Sequence, residues 1–229
     1  AVLYLYLRAQ QMKRQKKFQW IALKLSLLLL VIFIIQVIFP QVTESFSLVS
    51  SEIASRPWLL LTSIFLHGSI VHLLYNMFAL FLFGSLLEKH VGSARFIFIF
   101  LFTGIIASIA AAFFYPASLG ASGAIYGIIG ALVVLKPFML VWAFGVPMPM
   151  IIAGILWGLI DFAGFSSYLS GLPSGIANAA HLAGIFSGVF LGLILRNYLR
   201  WQKLKRRGLA REYAYHEERM KRIERKVGI

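Results

Sequence analysis

The chain has 229 residues, of which 60% are hydrophobic, and its mean hydropathy is +0.83. Ordinary soluble domains are about 45–50% apolar, so this composition excludes a soluble globular protein and indicates a membrane protein. There is no cysteine, which excludes disulfides, thiolate metal sites and a cysteine nucleophile. The net charge is +14, and the basic residues responsible for it lie mainly in alternate connections between the apolar segments, as described below.

Six apolar segments are candidates to cross a bilayer, whose core of about 30 Å needs about 20 helical residues. The predicted spans are Phe18–Phe39, Trp58–Glu88, Ala94–Phe114, Ser122–Val134, Pro147–Phe165 and Asn178–Tyr198. The second is too long, so part of residues 58–66 is expected in a membrane-surface loop or in helix beyond the core. The fourth is too short to cross alone, which places Ser122 below the membrane surface unless the segment is a buried core helix or re-entrant. The sequence therefore predicts an all-α, six-helix membrane bundle with a short, partly sunken fourth helix.

Basic residues mark one side of this bundle. They occupy the first 17 residues, the connections after spans two and four, and a run that starts at Arg196, at the end of span six, and continues beyond it. In the opposite loops, 40–57, 116–121 and 166–177, Arg56 is the only one. Because positive loops stay cytoplasmic, both termini are expected there. The predicted organisation is a basic segment 1–17, a membrane domain 18–198 and a charged tail 199–229.

The membrane accounts for the basic charge, so no nucleic-acid partner is expected; such a partner would need a basic folded face with stacking aromatics. The tail is expected to act as a topology signal and solubilising segment, with an interfacial helix near anionic lipid as the alternative. No cleavable signal peptide is expected, because the first apolar stretch lacks a small-residue cleavage site. We expect a multi-pass protein of a prokaryotic plasma membrane, surrounded by lipid.

Polar groups inside a membrane cost free energy unless they are partnered, so they indicate function. The candidates are His67, His72, Asn76, Ser122, Asn178 and His181. His72 and Asn76 are four residues apart and share one helix face, as do Ser122 and Tyr126.

Small residues on spans four and six predict a close approach of the two helices. Span six repeats small residues every fourth position, and span four carries several glycines: Ala180, Gly184, Gly188 and Gly192 in the former, Gly123, Gly127 and Gly130 in the latter. Such spacing lets helix backbones approach in lipid. Generic packing is the plain alternative, but the same approach would let Ser122 meet His181.

These groups fit nucleophilic acyl transfer. A serine hydroxyl is activated when a neutral imidazole takes its proton, which gives Ser122 and His181 the roles of nucleophile and base. Donors for the developing oxyanion are the Asn76 amide, the His72 imidazole and the backbone N–H of Ser122 at the positive end of a helix.

No carboxylate is expected to complete a triad. Glu88 is predicted at the cytoplasmic edge and Asp161 near the far end of span five. We therefore expect a Ser122/His181 dyad, with the Tyr126 ring stacked on His181.

Three motifs together resemble the rhomboid family of intramembrane serine proteases. They are "GASGA" around Ser122, "HGSIVHLLYN" in span two and "AHLAG" around His181, and "EKHVGS" at 88–93 also resembles the family. The resemblance covers about residues 58–198. It implies a six-helix rhomboid core whose site opens to the non-cytoplasmic side and cleaves peptide bonds in or near transmembrane segments of other proteins, with no cofactor.

Carried over residue by residue, the resemblance implies Ser122 as nucleophile, His181 as base with Tyr126 stacked on it, and His72 and Asn76 in the oxyanion hole. The supporting positions are His67, which lines the water-retaining part of the cavity, Gly120 and Gly123. Where many members have Trp-Arg in the first external loop, this chain has "WL" at 58–59, which bears on the anchoring of that loop. The serine and the histidine are both present, so an active enzyme is predicted.

Two rival hypotheses come from other classes. A transporter or channel would use the same His, Asn and Ser side chains as a substrate site, although repeat symmetry is not found. A metal-dependent protease would use His67, His72 and His181, but H-E-x-x-H is absent and no metal is expected.

Overall fold

The computed structural model describes residues 18–172 and 175–227. The chain divides into two units, of which one is Phe18–Leu193 and the other contains the segment from Ile194 onward. The predicted basic segment 1–17 lies outside the described residues. All site residues discussed below belong to the unit Phe18–Leu193.

The described chain is mostly helical. Its helices are α1 (Ile21–Ile38), α2 (Gln41–Phe46), α3 (Leu59–Thr62), α4 (Ile70–Ala79), α5 (Ser85–Val91), α6 (Ser93–Phe114), α7 (Ser122–Leu135), α8 (Met150–Leu169) and α9 (Asn178–Val227). A π-helical segment, Leu80–Gly84, joins α4 to α5, and single 3₁₀ turns lie at Ser50–Glu52 and Ser63–Phe65.

Five helical segments of the described residues are long and apolar enough to cross a membrane. They are α1, the continuous run Ile70–Val91, α6, α8 and the apolar part of α9. Helix α7 is apolar but has only 14 residues. The structure thus agrees with a helical membrane protein, while a sixth, partly sunken span at α7 stays a prediction.

The long second predicted span, Trp58–Glu88, is divided in the structure. Helix α3 and a 3₁₀ turn end at Phe65, and α4 begins only at Ile70. Extended Ser69 caps α4, and its side chain accepts a hydrogen bond from the backbone N–H of His72 at 3.1 Å. A serine cap of this kind satisfies a first-turn donor and fixes where a helix starts. Residues 58–66 therefore precede the span, as the excess length predicted.

The ends of the last two spans also differ from the prediction. Helix α8 continues to Leu169 instead of ending at Phe165, and α9 continues to Val227 instead of ending at Tyr198. The sequence after residue 198 is rich in Lys, Arg and Glu, which are good helix formers, and it contains no proline. Hydropathy shows where an apolar run ends. The helix itself continues for as long as the following residues favour helical structure and no cap stops it.

Two short β-ribbons interrupt the otherwise helical fold. Strand β1 (Leu48–Val49) pairs antiparallel with β2 (Ala117–Ser118), with Leu48 opposite Ser118. Strands β3 (Leu140–Ala143) and β4 (Val146–Pro149) form a hairpin between α7 and α8. The first ribbon holds the loop that leads into Ser122.

Helix α7 packs tightly between α6 and α9. A Cβ atom added to Gly123 would overlap Ala107 of α6, and one added to Gly184 or Gly188 of α9 would overlap the carbonyl oxygens of Gly123 and Gly127. The predicted close approach of spans four and six is confirmed. The glycines of α9 face the backbone of α7, whereas Gly123 itself faces α6.

Candidate active site

Ser122 is the first residue of α7 and follows a constrained loop. Gly120 has φ of +124°, a conformation that L side chains rarely adopt, and its N–H donates to the carbonyl of Ser63 at 2.9 Å. The first N–H groups of a helix have no partner within the helix. The loop therefore presents the Ser122 hydroxyl and nearby backbone donors at the same place.

The structure brings Ser122 and His181 together. His181 lies in the first turn of α9 and is buried, and its Nε2 lies 2.8 Å from Oγ of Ser122. This distance is within the range in which an imidazole accepts the proton of a serine hydroxyl. The meeting of the two side chains follows from the close packing of α7 and α9.

Tyr126 stacks on the imidazole of His181. The ring centroids are 4.2 Å apart and the ring planes differ by 9°. Tyr126 lies one turn after Ser122 on α7, so the helix that carries the hydroxyl also supports the ring that contacts it. The expected stacking is present in the structure.

Asp161 is the site residue that the sequence reasoning missed. Its Oδ1 lies 2.7 Å from Nδ1 of His181, and its exposed fraction is 2%. The expectation that no carboxylate reaches His181 is therefore wrong. Because α8 continues to Leu169, Asp161 lies two turns inside the helix, and the chain then returns so that the first turn of α9 meets it. An aspartate in an apolar span was the available signal.

His72 and Asn76 line the same cleft as Ser122. The imidazole of His72 contacts Gly120 so closely that a Cβ there would lie 2.7 Å from its Cε1 and 2.8 Å from its Nε2. The buried Asn76 amide donates one N–H to the carbonyl of His72 at 2.8 Å. The same Nδ2 atom carries a second N–H group. Two side chains able to donate hydrogen bonds therefore line the same cleft as Ser122.

His67 lies behind His72, with ring centroids 5.0 Å apart. Its backbone is held by Gln36 of α1, whose amide accepts from the His67 N–H at 3.0 Å and donates to the His67 carbonyl at 3.2 Å. Burial, and secondly the nearby His72, lower the pKa of His67 to about 4. The side chain is thus neutral at pH 7, and its ring packs edge-on against the His72 ring.

A cleft of about 1080 Å³ is lined by Ser122, His181, Tyr126, His72 and Asn76. His67, expected to line part of the cavity, and Asp161 are not among its lining residues. It runs from Ser122 and His181 to an aromatic cluster in which Phe83 and Phe144 both contact Trp157, with centroid distances of 5.5 and 5.4 Å. Most of its lining side chains are apolar. Such a cleft suits an extended apolar chain segment with one polar reaction centre.

The histidines are not arranged as a metal site. Residues 18–172 and 175–227 contain no group of three or more His, Asp or Glu side chains able to hold a metal ion. Both ring nitrogens of His181 are already in hydrogen-bonding contact, one with Ser122 and one with Asp161. This geometry fits a proton-transferring histidine better than a metal ligand.

A half-buried serine in contact with a buried histidine, in the cleft of a helical membrane bundle, defines the class as a candidate intramembrane serine hydrolase. The family model for the rhomboid domain matches residues 54–198. The chain therefore belongs to the rhomboid family, the intramembrane serine proteases that its motifs resemble.

Individual relatives agree. The chain is 35% identical over 145 residues to RHOMBOID-like protein 6, mitochondrial, of Arabidopsis thaliana, covering 62% of this chain and 44% of that protein. It is 38% identical over 144 residues to Rhomboid protease GluP of Bacillus subtilis, covering 60% of this chain and 26% of that protein. For Putative rhomboid protease YdcA of the same organism the identity is 35% over 140 residues, covering 60% and 66%. The match thus spans less than two thirds of each of these relatives.

Proposed function

We propose that this chain is an active intramembrane serine protease that hydrolyses peptide bonds in or near transmembrane segments of other membrane proteins. The observation that carries the proposal is the 2.8 Å contact between Oγ of Ser122 and Nε2 of His181 within the cleft. Membership of the rhomboid family supports the same reaction.

The proposed reaction has two halves. Oγ of Ser122 attacks the scissile carbonyl carbon while Nε2 of His181 takes the hydroxyl proton, and that proton then passes to the leaving amine as the C–N bond breaks. Water next attacks the acyl-enzyme, giving a proton to His181, which returns it to Oγ as the ester bond breaks. Donors from Asn76, His72 and the Ser122 backbone stabilise the negative oxygen of both tetrahedral intermediates.

The cleft supports a transmembrane segment as substrate. Its apolar lining extends from Ser122 to Trp157, so an apolar segment partly unwound near Ser122 would keep most of its side chains out of water. The basic connections support a placement in which both termini are cytoplasmic and the site opens to the other side of a prokaryotic plasma membrane.

The test is cleavage of a panel of single-span substrates by the full chain reconstituted in liposomes, with cut sites mapped by mass spectrometry. Wild type is expected to cut, and Ser122→Ala and His181→Ala to be inactive although folded. Ser167→Ala, an exposed serine of α8, is the matched control and should cut like wild type. Cleavage that survives Ser122→Ala would overturn the proposal.

A fluorophosphonate probe separates the protease from a transporter or channel. The probe is expected to label wild type and not Ser122→Ala, because only an activated serine reacts with it. Chelator should leave both labelling and cleavage unchanged. Activity abolished by chelator and restored by zinc would instead support a metal-dependent protease.

A further inference from the structure

Asp161 is the only aspartate in the chain, and it is buried inside a membrane-spanning helix. A buried carboxylate costs several kcal/mol unless partners satisfy it. Its partner across the helix interface is Nδ1 of His181, at 2.7 Å from Oδ1. The ring of His181 thus lies between Asp161 on Nδ1 and Ser122 on Nε2.

A second contact fixes the same carboxylate oxygen. Nδ2 of Asn178 donates to Oδ1 of Asp161 at 2.8 Å, and Asn178 and His181 share one face of α9. Gly164, three residues after Asp161, makes room for this amide, because a Cβ there would lie 2.7 Å from Nδ2 of Asn178. Two side chains of α9 therefore hold one oxygen of α8 in place.

We propose that Asp161 is a positioning residue that converts the expected dyad into a Ser122–His181–Asp161 triad. The inference rests on the proposed function. An Nδ1–H donated to the carboxylate leaves the lone pair of Nε2 directed at the Ser122 hydroxyl. When His181 takes the serine proton, the negative charge of Asp161 stabilises the imidazolium. Asp161 itself neither gains nor loses a proton.

The rival explanation is that Asp161 only ties α8 to α9. A structural tie would affect the folded fraction but not how the remaining folded enzyme depends on pH. The groups that face His181 are Asp161 from α8, Ser122 and Tyr126 from α7, and His72 from α4. Of these, only Asp161 is a carboxylate, so its removal changes the charge next to the imidazole.

The experiment compares Asp161→Asn with wild type in liposomes, using a transmembrane substrate that wild type cuts. For folded Asp161→Asn we expect kcat to fall by about 10⁴-fold with KM little changed, as in other triads that lose this group. The acidic limb of its kcat/KM profile should move to lower pH. Glu44→Gln, at an exposed carboxylate, should change neither quantity.

Wild-type kcat and an unmoved acidic limb in Asp161→Asn would overturn the triad, as would an activity loss that only follows the loss of folded protein. If the variant does not fold, nitrogen-15 histidine labelling of wild type decides. A low-field proton coupled to Nδ1 of His181 is expected, and its absence would overturn the proposal. If wild type does not cut the substrate, or if Ser122→Ala still cuts it, the proposed function fails. If cutting depends on Ser122 but is unchanged in Asp161→Asn, the proposed function stands and only the triad is overturned.

Discussion

Gly184 of α9 lies directly against the carbonyl oxygen of Gly123 in α7, with no space for a side chain between them. Gly123 follows Ser122, and Gly184 lies three residues after His181. The backbone contact therefore sets the separation of the two helices at the level of the site. The 2.8 Å contact between the serine and the histidine depends on this separation.

We predict that Gly184→Val forces α7 and α9 apart. Inserting atoms into a packed interface costs about 1–3 kcal/mol, so the thermal midpoint in detergent should fall by several degrees and cleavage should be lost. Gly208→Val is the matched control, because Gly208 lies in the same helix with no atom within 4 Å of an added Cβ. A stable and active Gly184→Val would show that this contact does not set the geometry of the site.

Replacement of Asn76 by Ala tests the oxyanion side of the cleft. One donor of this kind contributes about 10²- to 10³-fold to kcat, because it acts mainly on the charge that develops in the transition state. We expect kcat to fall by that amount while KM changes little. The control is Asn197→Ala, at an exposed amide of α9. An unchanged kcat would remove Asn76 from the oxyanion hole.

The parts of the fold that follow from local patterns could be predicted from the sequence. Apolar length located the helices, and the four-residue repeat of small side chains predicted that α9 would meet α7 through Gly184 and Gly188. The spacing of Ser122 and Tyr126 likewise placed both on the side that faces His181. In each case the prediction needed only the spacing of residues along a single helix, because residues four apart share one face.

The position of Asp161 could not be read in the same way. It depends on how far α8 continues beyond its apolar part and on how the chain returns to α9. Neither of these features produces a repeating pattern in the sequence. The β3–β4 hairpin was missed for a related reason. Its turn has positive φ at Phe144 and Gly145, and a Phe-Gly pair is a weaker turn signal than Asn-Gly.

Glu88 connects the start of α1 to the end of the second span. Its carboxylate is fully buried and accepts hydrogen bonds from the backbone N–H groups of Gln19, Ile21 and Ala22, each at 3.1 Å. The hydroxyl of Ser93 donates to it at 2.5 Å. A carboxylate at a helix N-terminus satisfies donors that have no partner within the helix and interacts favourably with the helix dipole.

We therefore predict that Glu88→Gln lowers the free energy of unfolding of the bundle by about 2 kcal/mol or more without changing catalysis at Ser122. The amide keeps one acceptor oxygen but turns an N–H₂ group toward N–H donors, and the charge-assisted bonds are lost. The thermal midpoint should fall, whereas kcat of the protein that remains folded should stay near wild type. Glu212→Gln, at an exposed carboxylate, should leave the midpoint unchanged. A wild-type midpoint for Glu88→Gln would contradict this role.

His67 should make stability depend on pH. Its pKa falls from the ordinary value of 6.5 to about 4 in the folded chain, chiefly because it is buried. Between these values the unfolded chain binds a proton that the folded chain does not, so stability is lost as pH falls from 6.5 towards 4, by up to about 3 kcal/mol. Thermal midpoints measured across this window should fall less steeply in His67→Gln than in wild type. Equal slopes for His67→Gln and wild type would show that another group carries the pH dependence.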